Sequence, residues 1–260
     1  MTFTIIGTGN IAWFFSSRIV AAGHKCKGVF GRNADAVKKL AEGLLVEKYG
    51  SISDANDVKA DVCFLAVSDA AIADVATQLS FEKTLLVHTA GAMSIDSIAA
   101  AAQDRAVLWP VYSILRHNAP NHRNIPTAWE ASSPLAKRYV LEMAHAITDV
   151  LFEAQYEQRK WLHLSAVIGN NFINHLMAIC EKICAENELP FSTLMPIITQ
   201  TFDRIKTASP QTTQTGPAIR HDENTIQQQV NLLSNHAEWR HIYEAITASI
   251  ERESKVVSRK

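Results

Sequence analysis

Phe3-Thr4-Ile5-Ile6-Gly7-Thr8-Gly9-Asn10-Ile11-Ala12 lies at the start of the chain. Four residues of strand character run straight into Gly7-x-Gly9-x-x-Ala12. A helical pattern follows from Asn10 to Ala22, with Ile11, Phe15 and Ile19 on one stripe and Gly23 as its stop. Strand, glycine-rich turn and helix in that order are the context in which such a turn cradles a dinucleotide. Gly7 permits the tight turn, Gly9 lets a pyrophosphate approach the backbone, and Ala12 lets the helix sit close to the strand. The helix N-terminus offers phosphates free N–H groups and the positive end of a dipole. Gly7, Thr8, Gly9, Asn10 and Ile11 are therefore the expected phosphate-binding residues. A tight turn without a ligand is the alternative for so short a motif.

Outward from that turn, short strands alternate with helices. Strands are expected at Cys26–Phe30, weakly at Leu45–Lys48, then at Val62–Val67, Leu85–His88, Val107–Trp109, Thr127–Glu130 and Val150–Glu153. Helices are expected from an Asn33 cap to Glu42 and over Leu135–Ile147. This alternation predicts an α/β fold with a doubly wound, mostly parallel sheet of the Rossmann type. After Gln155 no period-two signal survives. Helices are expected over Glu157–Glu186, Ser192–Thr207, Asp222–Leu233 and Ala237–Arg252, with Pro190 ending the first and fraying from Ser254 to Lys260. The expected division is residues 1–155 for cofactor binding and 156–260 for a helical substrate domain.

The chain has 260 residues, 47 % of them apolar, with 25 Lys and Arg against 26 Asp and Glu. This is a globular balance, and a net charge of −1 leaves no electrostatic footprint for nucleic acid or a polybasic membrane anchor. The longest apolar run, Val62–Val67, is far short of the roughly 18 residues a membrane helix needs. No basic segment precedes the first apolar stretch, so no secretion signal is expected and the four cysteines read as reduced thiols of a cytoplasmic protein. Cys180 and Cys184 share a helix face, but no further ligand at metal spacing completes a site, and no metal is expected.

Three strand ends carry the next candidates. A dinucleotide site for NAD usually places an acid after the second strand. Here the chain reads Val29-Phe30-Gly31-Arg32-Asn33. Arg32 can meet a 2′-phosphate through its planar fork and Asn33 can add a donor, which predicts NADP; a solvated surface Arg is the alternative. Ala66-Val67-Ser68-Asp69 and His88-Thr89-Ala90-Gly91 end two further strands at the edge where such sheets bind ligands. Ala66, Val67 and Ser68 are small enough for a ribose to lie against the backbone. Thr89 and Gly91 would contact substrate. His88 is either an acid–base group or a hydrogen-bonded structural residue. The segment Arg116 to Arg123 holds two arginines and two histidines, and either closes over an anion or is a solvated loop.

In the helical half, His163, Asn170 and Asn174 fall within about 40° of one another at 3.6 residues per turn. Ile168, Phe172, Leu176, Ile179 and Ile183 form the opposite stripe. The polar line fits either a wet outer face or a helix facing a cleft. In Thr215-Gly216-Pro217-Ala218-Ile219-Arg220-His221-Asp222, Asp222 can cap the next helix, and Arg220 can pair with it or hold an anionic group.

These stretches resemble known families. Gly7-Thr8-Gly9-Asn10-Ile11-Ala12, Phe30-Gly31-Arg32-Asn33, Phe64-Leu65-Ala66-Val67-Ser68-Asp69 and His88-Thr89-Ala90-Gly91 look like the N-terminal domain of deazaflavin-dependent NADP oxidoreductases and pyrroline-5-carboxylate reductases. His163-Leu164-Ser165-Ala166, Asn170-Asn171-Phe172 and Gly216-Pro217-Ala218-Ile219-Arg220-His221-Asp222 resemble a bacterial family of uncharacterised oxidoreductases with a helical domain of unknown function. The resemblance implies NADP binding, a helical domain like that of pyrroline-5-carboxylate reductase or 6-phosphogluconate dehydrogenase, and a homodimer through those helices. Relatives often read His-Pro where this chain has Trp109-Pro110. The related β-hydroxyacid dehydrogenases place a catalytic Lys four residues before an Asn, where Ala166 and Val167 stand here.

The expected function is therefore an NADP-dependent oxidoreductase acting on a small carbonyl or imine. His163 is the first candidate proton donor and His88 the second, with Asn170 and Asn171 orienting substrate and Asn174 and Arg220 binding it. The main alternative is a non-catalytic NADP-binding sensor or scaffold. A methyltransferase is a further alternative, opposed by Arg32 where that class needs an acid.

Overall fold

The computed structural model describes residues 1–257 and divides into two compact units, residues 1–170 and residues 171 onward. Each forms its elements for a different reason.

The first unit is built on β1 (Thr2–Ile6), β2 (Lys25–Phe30), β3 (Tyr49–Gly50), β4 (Val62–Leu65), β5 (Leu85–His88), β6 (Arg105–Pro110), β7 (Thr127–Ala131) and β8 (Leu151–Glu153). They make one sheet in the order β3-β2-β1-β4-β5-β6-β7-β8. All pairings are parallel except β6 with β7. This is the expected doubly wound sheet. Alternate residues feed the two faces. Phe3, Ile5, Phe64 and Val87 enter one core with α1 (Asn10–Ala21), α2 (Ala34–Gly43) and α4 (Pro134–Ile147). Ile6, Cys63, Leu65 and Leu86 enter the other with α3 (Ile72–Ala76). Phe64 anchors the first core, meeting Phe3 and Phe15 edge-on at centroid distances of 6.2 and 5.8 Å.

Caps explain where the helices stop. Gly23, at φ +90°, lets its own N–H and that of His24 return to the carbonyls of Val20 and Ile19, ending α1 as expected. Asn33 caps α2 by accepting from the Ala36 N–H at 3.0 Å. The expected strand at Leu45–Lys48 is displaced. Leu45 takes φ +56° as the chain leaves α2 and is 93 % exposed, so pairing with β2 begins only at Tyr49.

α5 (Tyr156–Ala166) follows β8 and belongs to the first unit. Its Arg159 is fully buried and donates to the Glu130 carboxylate on β7, to the Ala154 carbonyl (3.0 Å) and to the Met93 carbonyl (2.7 Å). The change of sequence pattern after Gln155 thus precedes the break in compactness by one helix.

The second unit holds α6 (Ile173–Glu186), α7 (Met195–Ile205), α8 (Glu223–Leu232) and α9 (Ala237–Val257). Two expectations need correction. First, the stretch Glu157–Glu186 is not one α-helix: Val167–Phe172 is a π turn, bonded i→i+5. It winds less per residue, so 100° spacing does not carry across it and the alignment of His163 with Asn170 and Asn174 does not hold. Ile168 and Phe172 of the apolar stripe are 53 % and 56 % exposed. Second, the chain does not fray at Ser254: α9 continues to Val257, and the rest of the expected frayed tail lies outside the described residues. The expected end at Glu186, ahead of Pro190, is met: Glu188 adopts φ +56° and Leu189 N–H returns to the Cys184 carbonyl. No helix among the described residues is long and apolar enough to cross a membrane.

Candidate functional site

The site lies at the carboxyl ends of β1, β2, β4 and β5, where the strand order reverses between β1 and β4. A cavity of about 520 Å³ opens there. Every residue expected to bind the cofactor lines it: Gly7, Thr8, Gly9, Asn10 and Ile11 from the first turn, Arg32 and Asn33 after β2, and Ala66, Val67 and Ser68 after β4.

The two glycines of the turn are needed for different reasons. Gly7 sits at φ +113°, and a Cβ there would lie 2.1 Å from the Ala66 carbonyl oxygen, so the protein itself forbids a side chain. Its N–H donates to the Phe30 carbonyl at 2.8 Å, and Ala66 N–H donates to Ile6 at 2.8 Å. These bonds lock the ends of three neighbouring strands together. At Gly9 a Cβ would meet no protein atom within 4 Å. The bare backbone there faces the open cavity as the N-cap of α1, whose first turn carries no acidic residue. A cradle of this kind fits a pyrophosphate.

At the second strand end, Arg32 is exposed, and its guanidinium has no hydrogen-bond or ion-pair partner among the described residues. Asn33 spends its Oδ1 on the α2 cap, which leaves its amide NH₂ as the donor. Four lining residues were missed by the sequence reading: Gly31, Ile52, Asp69 and Ile114. Gly31 and Asp69 adjoin predicted positions. Ile52 and Ile114 are single apolar residues in loops, where no periodicity marks them.

The end of β5 splits the remaining candidates. Thr89 lines the cavity, whereas His88 and Gly91 do not. His88 is fully buried. Its Nδ1 accepts from the Ala90 N–H at 3.3 Å, and its Nε2, near the Ser94 backbone, has no partner of hydrogen-bonding geometry among the described residues. Burial, reinforced by the Arg159 charge, pushes its pKa down to about 3. His88 is thus a neutral interior group with no accessible face from which to transfer a proton. Gly91 is buried against Trp109: a Cβ would lie 2.4 Å from the indole. Its bareness serves packing.

Trp109 also meets His163 of α5, with ring centroids 5.6 Å apart. The loop after β5 is thereby bracketed. Arg159 holds it at the Met93 carbonyl, His88 holds Ala90 N–H, and the Trp109 ring that lies on Gly91 carries His163 on another side. Trp109 acts here as the wall between strand and helix.

In the second unit Asn171 and Asn174 are exposed, as is Asn170 at the end of the first. Arg220 is exposed too. Asp222 caps α8, accepting from Thr225 N–H at 3.1 Å and Thr225 Oγ1 at 2.7 Å. Those bonds, with Arg220 as a lesser cause, hold its carboxyl below the usual range. Gly216 at φ +109° and His221 at φ +51° shape the loop between.

Residues 2–91 match the family model described as NADP oxidoreductase, coenzyme F420-dependent, and residues 125–250 match a domain of unknown function, DUF2520. No curated protein sequence matches the chain. Among solved structures, one from Bacteroides fragilis described as a candidate NADP oxidoreductase is 28 % identical, covers 96 % of this chain and 98 % of its own, and superposes with a TM-score of 0.86. A protein from Thermotoga maritima is 23 % identical over 99 % of this chain and all of its own, with a TM-score of 0.70. The 1-pyrroline-5-carboxylate reductase of Streptococcus pyogenes is 18 % identical, covers 97 % and 98 %, and reaches 0.62, a likeness of fold. The motif resemblances to the deazaflavin-type domain, to the helical domain of unknown function and to the pyrroline-5-carboxylate reductase fold are all met.

Proposed function

We propose that the protein is an NADP-dependent oxidoreductase acting on a small carbonyl or imine. The observation that carries this reading is the cavity at the strand ends, with an unpaired Arg32 on one rim and the bare Gly9 backbone on the floor. When bound, the dinucleotide supplies a hydride equivalent to a carbonyl or imine carbon, or accepts one from the reduced product. Arg32 holds a 2′-phosphate through its fork, with the Asn33 amide beside it. The first turn of α1 would offer the pyrophosphate free N–H donors and a partial positive charge. Ala66, Val67 and Ser68 give a ribose a surface without bulky side chains, and Thr89 offers a hydroxyl at the far end.

His163 is the proposed proton donor, supported by its place against Trp109 and by the burial that removes His88 from that role. Asn170, Asn171, Asn174 and Arg220 are proposed substrate contacts; the first two lie in a π turn, an element often found at functional positions. A second copy of the chain is the proposed partner. On α7, Met195, Ile198, Phe202 and Ile205 recur at heptad-like spacing, and Met195, Phe202 and Ile205 are 38–46 % exposed.

The test is a titration with NADPH and NADH. Tighter NADPH binding is expected, and equal or tighter NADH binding defeats the NADP assignment. A screen of oxo acids, aldehydes and cyclic imines, followed by NADPH absorbance, then looks for turnover. One observation favours a second reading, a cofactor-binding sensor: among the described residues the cavity lining includes no His or Lys. Tight NADPH binding with no turnover across the screen would support it. If turnover is found and His163→Ala and Asn170→Ala both leave it unchanged, the proposed donor and orienting residue are wrong.

A further inference from the structure

The loop after β6, which supplies Ile114 to the cavity, also carries a cluster of basic side chains whose roles separate on inspection. Arg123 is fully engaged: it donates to Asp149 Oδ1 at 2.7 and 2.9 Å and to the carbonyls of His145 and Ala146. Arg18 on α1 is equally committed, donating to the carbonyls of Pro120 (2.6 Å), His122 (2.8 Å) and Ile147 (3.0 Å). His122 leans on Tyr112. These contacts fix the loop against α1 but use up their cations.

Arg116 differs. Its backbone N–H donates to Asn10 Oδ1 at 3.2 Å, on the residue that opens α1 and lines the cavity. Its guanidinium lies 3.4 Å above the Trp13 ring and has no carboxylate or carbonyl partner among the described residues. A smaller cavity of about 320 Å³, lined by Asn10, Trp13, Arg18 and Arg116, adjoins the first through Asn10. A stacked, exposed cation with all its N–H donors uncommitted is thus stationed beside the turn that receives phosphates. Stacking on an aromatic face leaves the in-plane donors of a guanidinium available to an oxygen anion.

We infer that Arg116 is a further cofactor-binding residue, whose guanidinium donates to the pyrophosphate of the dinucleotide. This rests on the cofactor reading above and deepens it. Two arginines then divide the recognition. Arg32 reads the 2′-phosphate that distinguishes NADP from NAD, and Arg116 reads the pyrophosphate that both share. The bond to Asn10 is donated by the backbone N–H of Arg116, so Arg116→Ala removes the guanidinium while keeping the anchor of the loop.

Dissociation constants for NADPH, NADH and 2′-AMP, measured by calorimetry on wild type, Arg116→Ala, Arg116→Lys and Arg32→Ala, test this. Loss of one charge-assisted contact weakens binding by roughly tenfold or more. Arg116→Ala should therefore weaken NADPH and NADH by the same factor and leave 2′-AMP, which lacks the pyrophosphate, unchanged. Arg116→Lys should recover part of the loss, and Arg32→Ala should weaken NADPH and 2′-AMP alone. Wild-type affinity of Arg116→Ala for both dinucleotides, loss of NADPH binding alone, or an equal loss for 2′-AMP overturns the inference while the cofactor reading stands. Wild type that binds neither dinucleotide overturns the cofactor reading itself, and this assignment with it.

Discussion

The two units bury their apolar residues very differently. In the first, Phe3, Ile5, Ile6, Phe15, Phe30, Phe64 and Leu65 are all fully buried, and each large side chain so placed contributes about 1.5–3 kcal/mol. In the second, the buried apolar residues among the described ones are Ile179, Cys184, Ala218 and Val230, while Ile197 is 62 % and Leu232 81 % exposed. A twisted sheet with helices on both faces covers its own apolar surface. Four helices with little interior do not. The first unit therefore surrounds its strand ends with a closed core, and the second leaves more of its apolar surface uncovered. Substitutions should expose this contrast as large stability effects in one unit and small ones in the other.

The largest expected effect lies at the buried pair of Arg159 and Glu130. Removing one partner strands a charge in the interior, which costs about 3–5 kcal/mol in comparable cases. Arg159→Leu should lower the unfolding midpoint in denaturant strongly and also weaken substrate turnover, because the loop after β5 loses its tie at the Met93 carbonyl. An unchanged midpoint would show that the pair does not organise this unit.

His88 gives an intermediate, pH-dependent effect. Its folded-state pKa of about 3 lies below the ordinary value of 6.5, so the unfolded chain takes up a proton first as pH falls. The neutral side chain's full contribution is present above pH 6.5 and is lost progressively between there and pH 3, by up to about 1.4 kcal/mol per pH unit. Protonation in place would set a cation beside Arg159. Denaturant unfolding of wild type and His88→Asn at pH 7.5, 6 and 5 measures this. The wild type should lose stability faster than the variant over that range, and parallel curves would refute the assignment.

What could be read from the sequence follows the same contrast. Strand periodicity and the glycine turn located the sheet and ten residues that line the cavity at its strand ends, because those signals are local. The π turn at Val167–Phe172 has no local signature, so the stripe drawn through Asn170 was placed on a helix that does not continue. Arg159 sits in Glu157-Gln158-Arg159-Lys160, which reads as a solvated face; only the position of β7 reveals its acceptor. The fit of Gly91 beneath Trp109 likewise depends on two strands meeting. Arg116 was visible only as one basic residue among several, since its distinction from Arg123 lies in which acceptors the fold leaves within reach.

The smallest stability effect is expected on α7, where the contrast between units becomes a question of assembly. Phe202 and Ile205 are 38 % and 43 % exposed, so the single chain buries only part of each, and exchanging both for Ser costs less than emptying the fully buried positions of the first unit. Their effect on self-association should be far larger. A dimer interface concentrates its energy in a few apolar side chains at the centre, and α7 presents four of them on one stripe. Sedimentation of wild type should therefore report a dimer, and Phe202→Ser with Ile205→Ser should shift it toward monomer while the variant stays folded at low concentration, with a modestly lower thermal midpoint. A wild-type monomer, or a variant that stays fully dimeric, would place the self-association surface elsewhere or remove it. A variant that unfolds outright would mean that these side chains belong to an interior of the chain itself, and the contrast drawn between the two units would fail.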